Sequence, residues 1–159
     1  MKEANLLRPV AVFTVGGLIP GMDREVERYR KEVHQVRDAA AGGLDALKMP
    51  WYPCAGRTDV VSGTREPGDR TFEGEYEKAF GPLYYSVDVG ASEKGGVHAI
   101  VLDSEEGVGA GDNISEEQLA WLKGDLRKTF ERAEAKGGPK WVVVLVHRPL
   151  WRNEAPGAG

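Results

Sequence analysis

The chain contains a single cysteine, Cys54, which excludes an internal disulfide and any thiolate-rich zinc site. A lone cysteine flanked by apolar residues reads as a buried filler rather than a nucleophile. No long hydrophobic run is present: the longest, Trp141 to Val146, falls far short of a bilayer span, so no transmembrane helix and no membrane partner are expected. Charge of one sign is not blocked anywhere. The 21 basic and 25 acidic residues are interspersed and sum to −4, which leaves no electrostatic footprint for nucleic acid. The chain also lacks a Gly-x-x-x-x-Gly-Lys-Ser/Thr loop, a nucleophile elbow and a dinucleotide fingerprint, so nucleoside triphosphate and hydride chemistry have no support. The start, Met-Lys-Glu-Ala-Asn-Leu-Leu-Arg-Pro, has no apolar stretch leading to a small-residue cleavage site, and a cytoplasmic location is the expectation.

What is there suits one folded domain. At 159 residues, 41% hydrophobic and 29% charged, the chain is long enough to bury a core without staples. Arg8 to Val15 ends in an apolar run that stops at Gly16-Gly17, a strand running into a tight turn. From Asp23, a natural N-cap, Val26, Tyr29, Val33, Val36 and Ala40 recur at helical spacing, and Gly42-Gly43 supplies the stop. Met49 to Cys54 is a short strand interrupted by prolines, followed by a loop to about residue 72. Tyr84 to Val89 and Val97 to Asp103 read as two paired strands. Ser115 with Gln118 forms a capping box, with Ile114 and Leu119 as a staple. The helix they open carries a predicted buried stripe of Leu119, Leu122, Leu126, Phe130 and Ala133. Trp141 to Val146 is then a fully apolar strand that delivers His147 at its C-terminal end. Strands and helices alternate, so the fold class is α/β. Residues 1–151 form the domain and residues 152–159 a flexible Pro/Gly/Ala-rich tail.

Five short segments occur in a telling order. They are the strand and turn ending Val-Gly-Gly-Leu-Ile-Pro-Gly; Met49-Pro50-Trp51-Tyr52-Pro53-Cys54-Ala55-Gly56-Arg57-Thr58-Asp59; Phe80-Gly81-Pro82-Leu83-Tyr84-Tyr85-Ser86-Val87-Asp88; Gln118-Leu119-Ala120-Trp121-Leu122; and His147-Arg148-Pro149-Leu150-Trp151. In this order they resemble the calcineurin-like metallophosphoesterases, whose corresponding motifs are Gly-Asp-Leu-Ile/Val, Gly-Asn-His-Asp, Phe-Gly-Pro-x-Tyr-Tyr-Ser-Phe-Asp, a helix and a histidine-bearing strand. The resemblance runs from about Asn5 to Trp151 and implies a truncated version of the family's α/β/β/α sandwich. The family's opening Asp-x-His has no counterpart, and its closing Gly-His-x-His would lie beyond Gly159.

The resemblance implies chemistry in which two divalent cations activate water against phosphorus and a histidine protonates the leaving oxygen. Residue by residue, the bridging aspartate falls at Gly17, the asparagine ligand at Arg57 and the proton-donating histidine at Thr58, none of which can serve. His147 matches a metal-ligand histidine and is the one ligand left; Asp59 matches a residue that braces its loop. Arg57 and Arg148 with His147 form a candidate anion pocket, against the plainer reading that Arg57 faces solvent or pairs with Asp59. Asp103 reads as a strand-end turn residue, His34 as a partly exposed helix residue, and His98 as a strand residue on the polar face. Tyr84, Tyr85 and Trp121 read as packing residues.

The resulting expectation is a pseudoenzyme of the family that has lost hydrolysis, has no catalytic residue and no assured cofactor, and acts as a binding or assembly protein. One alternative is a residual phosphoesterase in which His147, with Asp59 or a partner chain, holds Mn, Fe or Zn. Another is a non-functional gene remnant. Strands missing from the sheet would leave unpaired edges, so self-association or a protein partner is expected.

Overall fold

The apolar run before Gly16-Gly17 is a strand, shorter than the sequence suggests. In the computed structural model, which describes residues 1–20, 25–62, 69–90, 95–106, 114–134 and 138–149, strand β1 spans Val12–Val15. A short helix α1 (Lys2–Leu7) precedes it, closed by Arg8 in the left-handed region at φ 49°. Pro9, which lacks a backbone donor, follows, and regular pairing begins at Val12. Asp23, Trp151 and the tail from residue 152 lie outside the described residues.

Helix α2 (Val26–Arg37) follows, then a single 3-10 turn (Leu44–Ala46) and strand β2 (Trp51–Cys54). The segment expected as loop contains a short helix α3 (Arg57–Val60), and beyond it lies helix α4 (Glu73–Phe80), which no strong apolar period announces. Strands β3 (Tyr85–Val89) and β4 (Val97–Val101), helix α5 (Glu116–Glu134) and strand β5 (Trp141–Leu145) complete the order. The architecture is mixed α/β with two small sheets. In the first, β1 and β2 pair in parallel; in the second, β3 and β4 form the antiparallel hairpin that their alternation predicts, and β5 joins β4 in parallel through the α5 crossover. Among the described residues no helix is long and apolar enough to cross a membrane.

The stripe of α2 buries against the loop after β1: Tyr29 is fully buried with Ile19 and Phe72, and Val26, Val33 and Val36 pack against them. The Tyr29 and Phe72 rings stack with centroids 4.5 Å apart. A second cluster, Ala55, Val60, Val61, Tyr76 and Leu83, lies under α3 and α4. The two sheets meet where Tyr85 Oη donates to the Pro53 carbonyl at 2.8 Å and the Cys54 thiol lies 3.5 Å from the Leu102 carbonyl.

Helix α5 overturns two expectations. Its buried residues are Gln118 and Thr129, while Leu119 and Phe130 of the predicted stripe are 39% and 59% exposed and Ala133 is also exposed. Hydrogen bonds to buried partners set the rotation of the helix. Gln118 Oε1 accepts from the Asp103 N–H at 2.9 Å, and Gln118 Nε2 donates to the Asp103 carbonyl at 3.1 Å. His98, expected on a polar face, is instead buried under α5. Its Nδ1 lies 2.6 Å from Asp88 and its Nε2 2.7 Å from Asp125, with Thr129 Oγ1 at 3.2 Å. Ser86 donates to the other oxygen of Asp125, and Arg132 reaches across to Asp88 at 2.7 Å. Leaving these groups unpaired in the interior would cost more than leaving a leucine half in water. Ser115 still caps the helix, its hydroxyl accepting from the Gln118 N–H at 3.1 Å.

The rotation has a direction. At about 100° per residue, Trp121 and Arg132 lie on one flank of α5, where they meet Tyr84 and Asp88 on the β3 side. Leu119, Leu126 and Phe130 lie on the opposite flank, toward β5. On that side of the sheet Val142 and Val144, paired with His98 and Ile100, are exposed as well. Trp141 to Val144 of the fully apolar β5 are all exposed; β4 pairs with one edge of the strand, and no described strand pairs with the other.

Two outcomes follow from this anchoring. Gln118→Ala leaves both backbone groups of Asp103 unpaired in the interior and is expected to cost about 2 kcal/mol in urea unfolding. The hydrogen-bonded Arg132 guanidinium, opposed by burial and helped by His98, holds the Asp88 carboxyl below its ordinary range. Its contribution is therefore fully present above the unfolded carboxylate pKa of about 3.9 and is lost as pH falls through the depressed folded value. In Arg132→Ala the Asp88 carboxyl carbon should titrate at higher pH by NMR, and the urea midpoint should become less acid-sensitive.

Candidate functional site

Strands β1 and β2 both run into glycine turns, and these turns form the rim where the sequence places its candidate residues. Gly16 and Gly17 have φ of 84° and 69°, a region that favours glycine. Close approach adds a second requirement: a Cβ on Gly16 would collide with the His147 ring, and one on Gly56 would lie 2.7 Å from the Gly17 nitrogen. A Cβ on Gly17 would meet nothing within 4 Å, so this glycine opens onto space.

Asp59, fully buried in α3, binds both turns. Its Oδ2 accepts the N–H groups of Gly17 at 2.9 Å and Gly56 at 2.8 Å, and its Oδ1 accepts that of Ile19 at 2.8 Å. Tyr29 Oη donates to the Asp59 carbonyl at 2.8 Å, tying the same point to α2. Burial pushes the Asp59 carboxyl above its usual range; the three amides and nearby His147 pull the other way. The oxygens of Asp59 are engaged by amides, and no ion pair joins it to the neighbouring Arg57.

His147 stands exposed at the end of β5, with its ring against Gly16 and Gly56. Its Nδ1 lies 2.8 Å from the Val15 carbonyl, an acceptor, so Nδ1 carries a proton and Nε2 is the ring nitrogen that this contact does not engage. Such a carbonyl contact also orients metal-ligating histidines. Donors to accompany it are not assembled: among the described residues no group of three or more His, Cys, Asp or Glu is placed to hold a metal ion. A dinuclear metal centre does not fit this donor set, since Gly17 and Arg57 occupy the rim positions and Asp59 is saturated by amides.

Arg57, half-buried at the first turn of α3, has no carboxylate partner among the described residues. Arg148 differs. Its Nε donates at 2.6 Å to Glu105, whose side chain is wholly buried, and its N–H donates to the Ser104 hydroxyl at 2.9 Å. Of the two arginines proposed for an anion, Arg57 is therefore the less committed. Thr58 is half-buried between Arg57 and Asp59. Burial pushes the Cys54 thiol up to about 12, so it stays protonated and inert at neutral pH.

The remaining candidates lie elsewhere. His34 is exposed on α2, beside a cavity of about 530 Å³ between α2 and α4 whose cations are already paired, Arg30 with Glu75 and Arg37 with Asp45. Asp103 follows the end of β4, as a strand-end turn residue would, and is buried there: Arg70 meets it at 2.6 Å, and burial still pushes its carboxyl upward. Two polar clusters escaped sequence reasoning, the Glu105–Arg148 pair and the His98 cluster. A signal existed for the second, since Gln118, Asp125, Thr129 and Arg132 recur at helical spacing as a polar stripe.

No protein-family model matches the chain, and neither does any curated protein or solved structure.

The Asp59 bridge yields a direct expectation. Asp59→Ala strips three amides of their acceptor and should cost roughly 3 kcal/mol in urea unfolding, with Asp59→Asn costing about half of that. The amides of Gly17, Ile19 and Gly56 should lose protection in hydrogen exchange.

Proposed function

We propose that the chain is a metallophosphoesterase-like scaffold that has given up hydrolysis and acts as a binding or assembly protein. The ordered motifs support the family reading. The observation that carries the functional one is the make-up of the rim: glycine at 17 and a cation at 57, beside a carboxylate whose oxygens are held by backbone amides. An arginine in the first turn of α3 with no carboxylate partner among the described residues suits an oxyanion such as phosphate, which Arg57 can hold without a metal ion. Arg148, tied to Glu105, contributes positioning and residual positive charge.

A second reading, a residual phosphoesterase with divalent metal on His147, draws on the ring's orientation by the Val15 carbonyl. Elemental analysis of freshly purified, untagged protein separates the two. The binding reading expects well below one transition metal per chain, no turnover of an aryl phosphate, and inorganic phosphate binding by calorimetry that falls at least tenfold in Arg57→Ala. Close to two metals per chain with turnover abolished in His147→Ala would overturn it in favour of the enzyme.

A further inference from the structure

From the edge of β5 that no described strand covers, we infer that this strand is a docking surface for a second copy of the same chain, paired antiparallel through Trp141–Leu145. A strand with apolar residues on both faces is composed for the middle of a sheet. In the second sheet β4 occupies one edge of β5 and nothing described occupies the other, and Trp141, Val142, Val143 and Val144 are between 39% and 63% exposed. Edges are ordinarily defended by charge, proline or brevity. The outer strand on the opposite side, β3, carries Asp88, and β2 contains Pro53; β5 has neither device. The occupant that fits must bring backbone donors and acceptors in an extended line, which is a strand.

The choice of a second copy rests on self-complementarity. A two-fold axis at Val143, the midpoint of β5, sets Val143 opposite Val143, Val142 opposite Val144 and Trp141 opposite Leu145, so an apolar residue meets an apolar residue at every position. No like charges are opposed, because the nearest, Lys140, falls opposite Val146. Five residues alone do not reach the roughly 800 Å² per partner of a stable interface. The contact therefore draws also on the exposed flanks: Trp141 and, on the α5 side, Phe130 are each more than half exposed, and such rings bury about 150–250 Å² when covered. A concentration-dependent dimer follows. This contact is independent of the rim chemistry, and metal or phosphate at His147 would leave it intact.

The test is sedimentation of the full chain from low micromolar to submillimolar concentration, together with cysteine crosslinking. The mass should rise from one 17.3 kDa chain toward two, and Val143→Lys should hold it at one. In case that substitution disturbs folding, Val143→Cys provides a second readout. At the axis its two copies sit about 4.5–5.5 Å apart at Cα, within disulfide reach, so mild oxidation should crosslink it, whereas Lys140→Cys should not. A monomer at every concentration overturns the proposal, and does so in favour of an intramolecular cover if the β5 amides are also protected from exchange. A dimer that ignores Val143→Lys and forms no Val143→Cys crosslink overturns it in favour of another surface.

Discussion

The carboxylate of Asp59 is the point from which the rim is built. By accepting from Gly17, Ile19 and Gly56 it joins the turn after β1 to the turn after β2, and through the Tyr29 hydroxyl on its carbonyl it connects both to α2. Burying a charge is costly unless its lone pairs are satisfied, and three amides satisfy it. The same bonds explain why Asp59 is unavailable to a metal or to Arg57. They also explain why His147 can lie against two glycines: the turns are held close enough that only hydrogen fits between ring and backbone.

A second polar constraint governs the other half of the molecule. Helix α5 has an apolar stripe that would ordinarily be its buried face, yet Gln118, Asp125, Thr129 and Arg132 meet Asp103, His98 and Asp88 on the sheet. Unpaired buried polar atoms are penalised more heavily than partly exposed apolar ones, so the helix turns its polar stripe inward over β3 and β4. Leu119 and Phe130 are left toward the open side of β5. The exposed apolar surface and the buried histidine therefore share one cause.

Much of the scaffold was legible beforehand. The stripe of α2 from Val26 to Val36, the β3–β4 hairpin and the Ser115 cap follow from local periodicity and turn chemistry, although α2 ends at Arg37 and leaves Ala40 outside it, exposed. The positions of Gly17, Arg57, Thr58 and His147 at strand ends could also be read, since strand order and glycine turns place them there. Helix α4 was not legible because its apolar residues are few and its support comes from the cluster beneath it. Nor was the engagement of Arg148, whose partner Glu105 lies 43 residues away in the turn after β4. Periodicity carries no information about which distant charge will be adjacent.

The sequence by itself determined the alternation of strands and helices, the lack of an internal disulfide, a nucleotide-binding loop or a long apolar run, and the identities standing at the rim. Those properties are local: they depend on residue type and on spacing within one element or turn. Tertiary structure alone decided that Asp59 would be saturated by amides, that Arg148 would be tied to a buried glutamate while Arg57 was not, and that α5 would bury its polar stripe while Trp141 to Val144 of β5 stayed exposed. Each of these is a competition between burial and hydrogen bonding across elements far apart in the chain, and its outcome exists only once the partners are brought together.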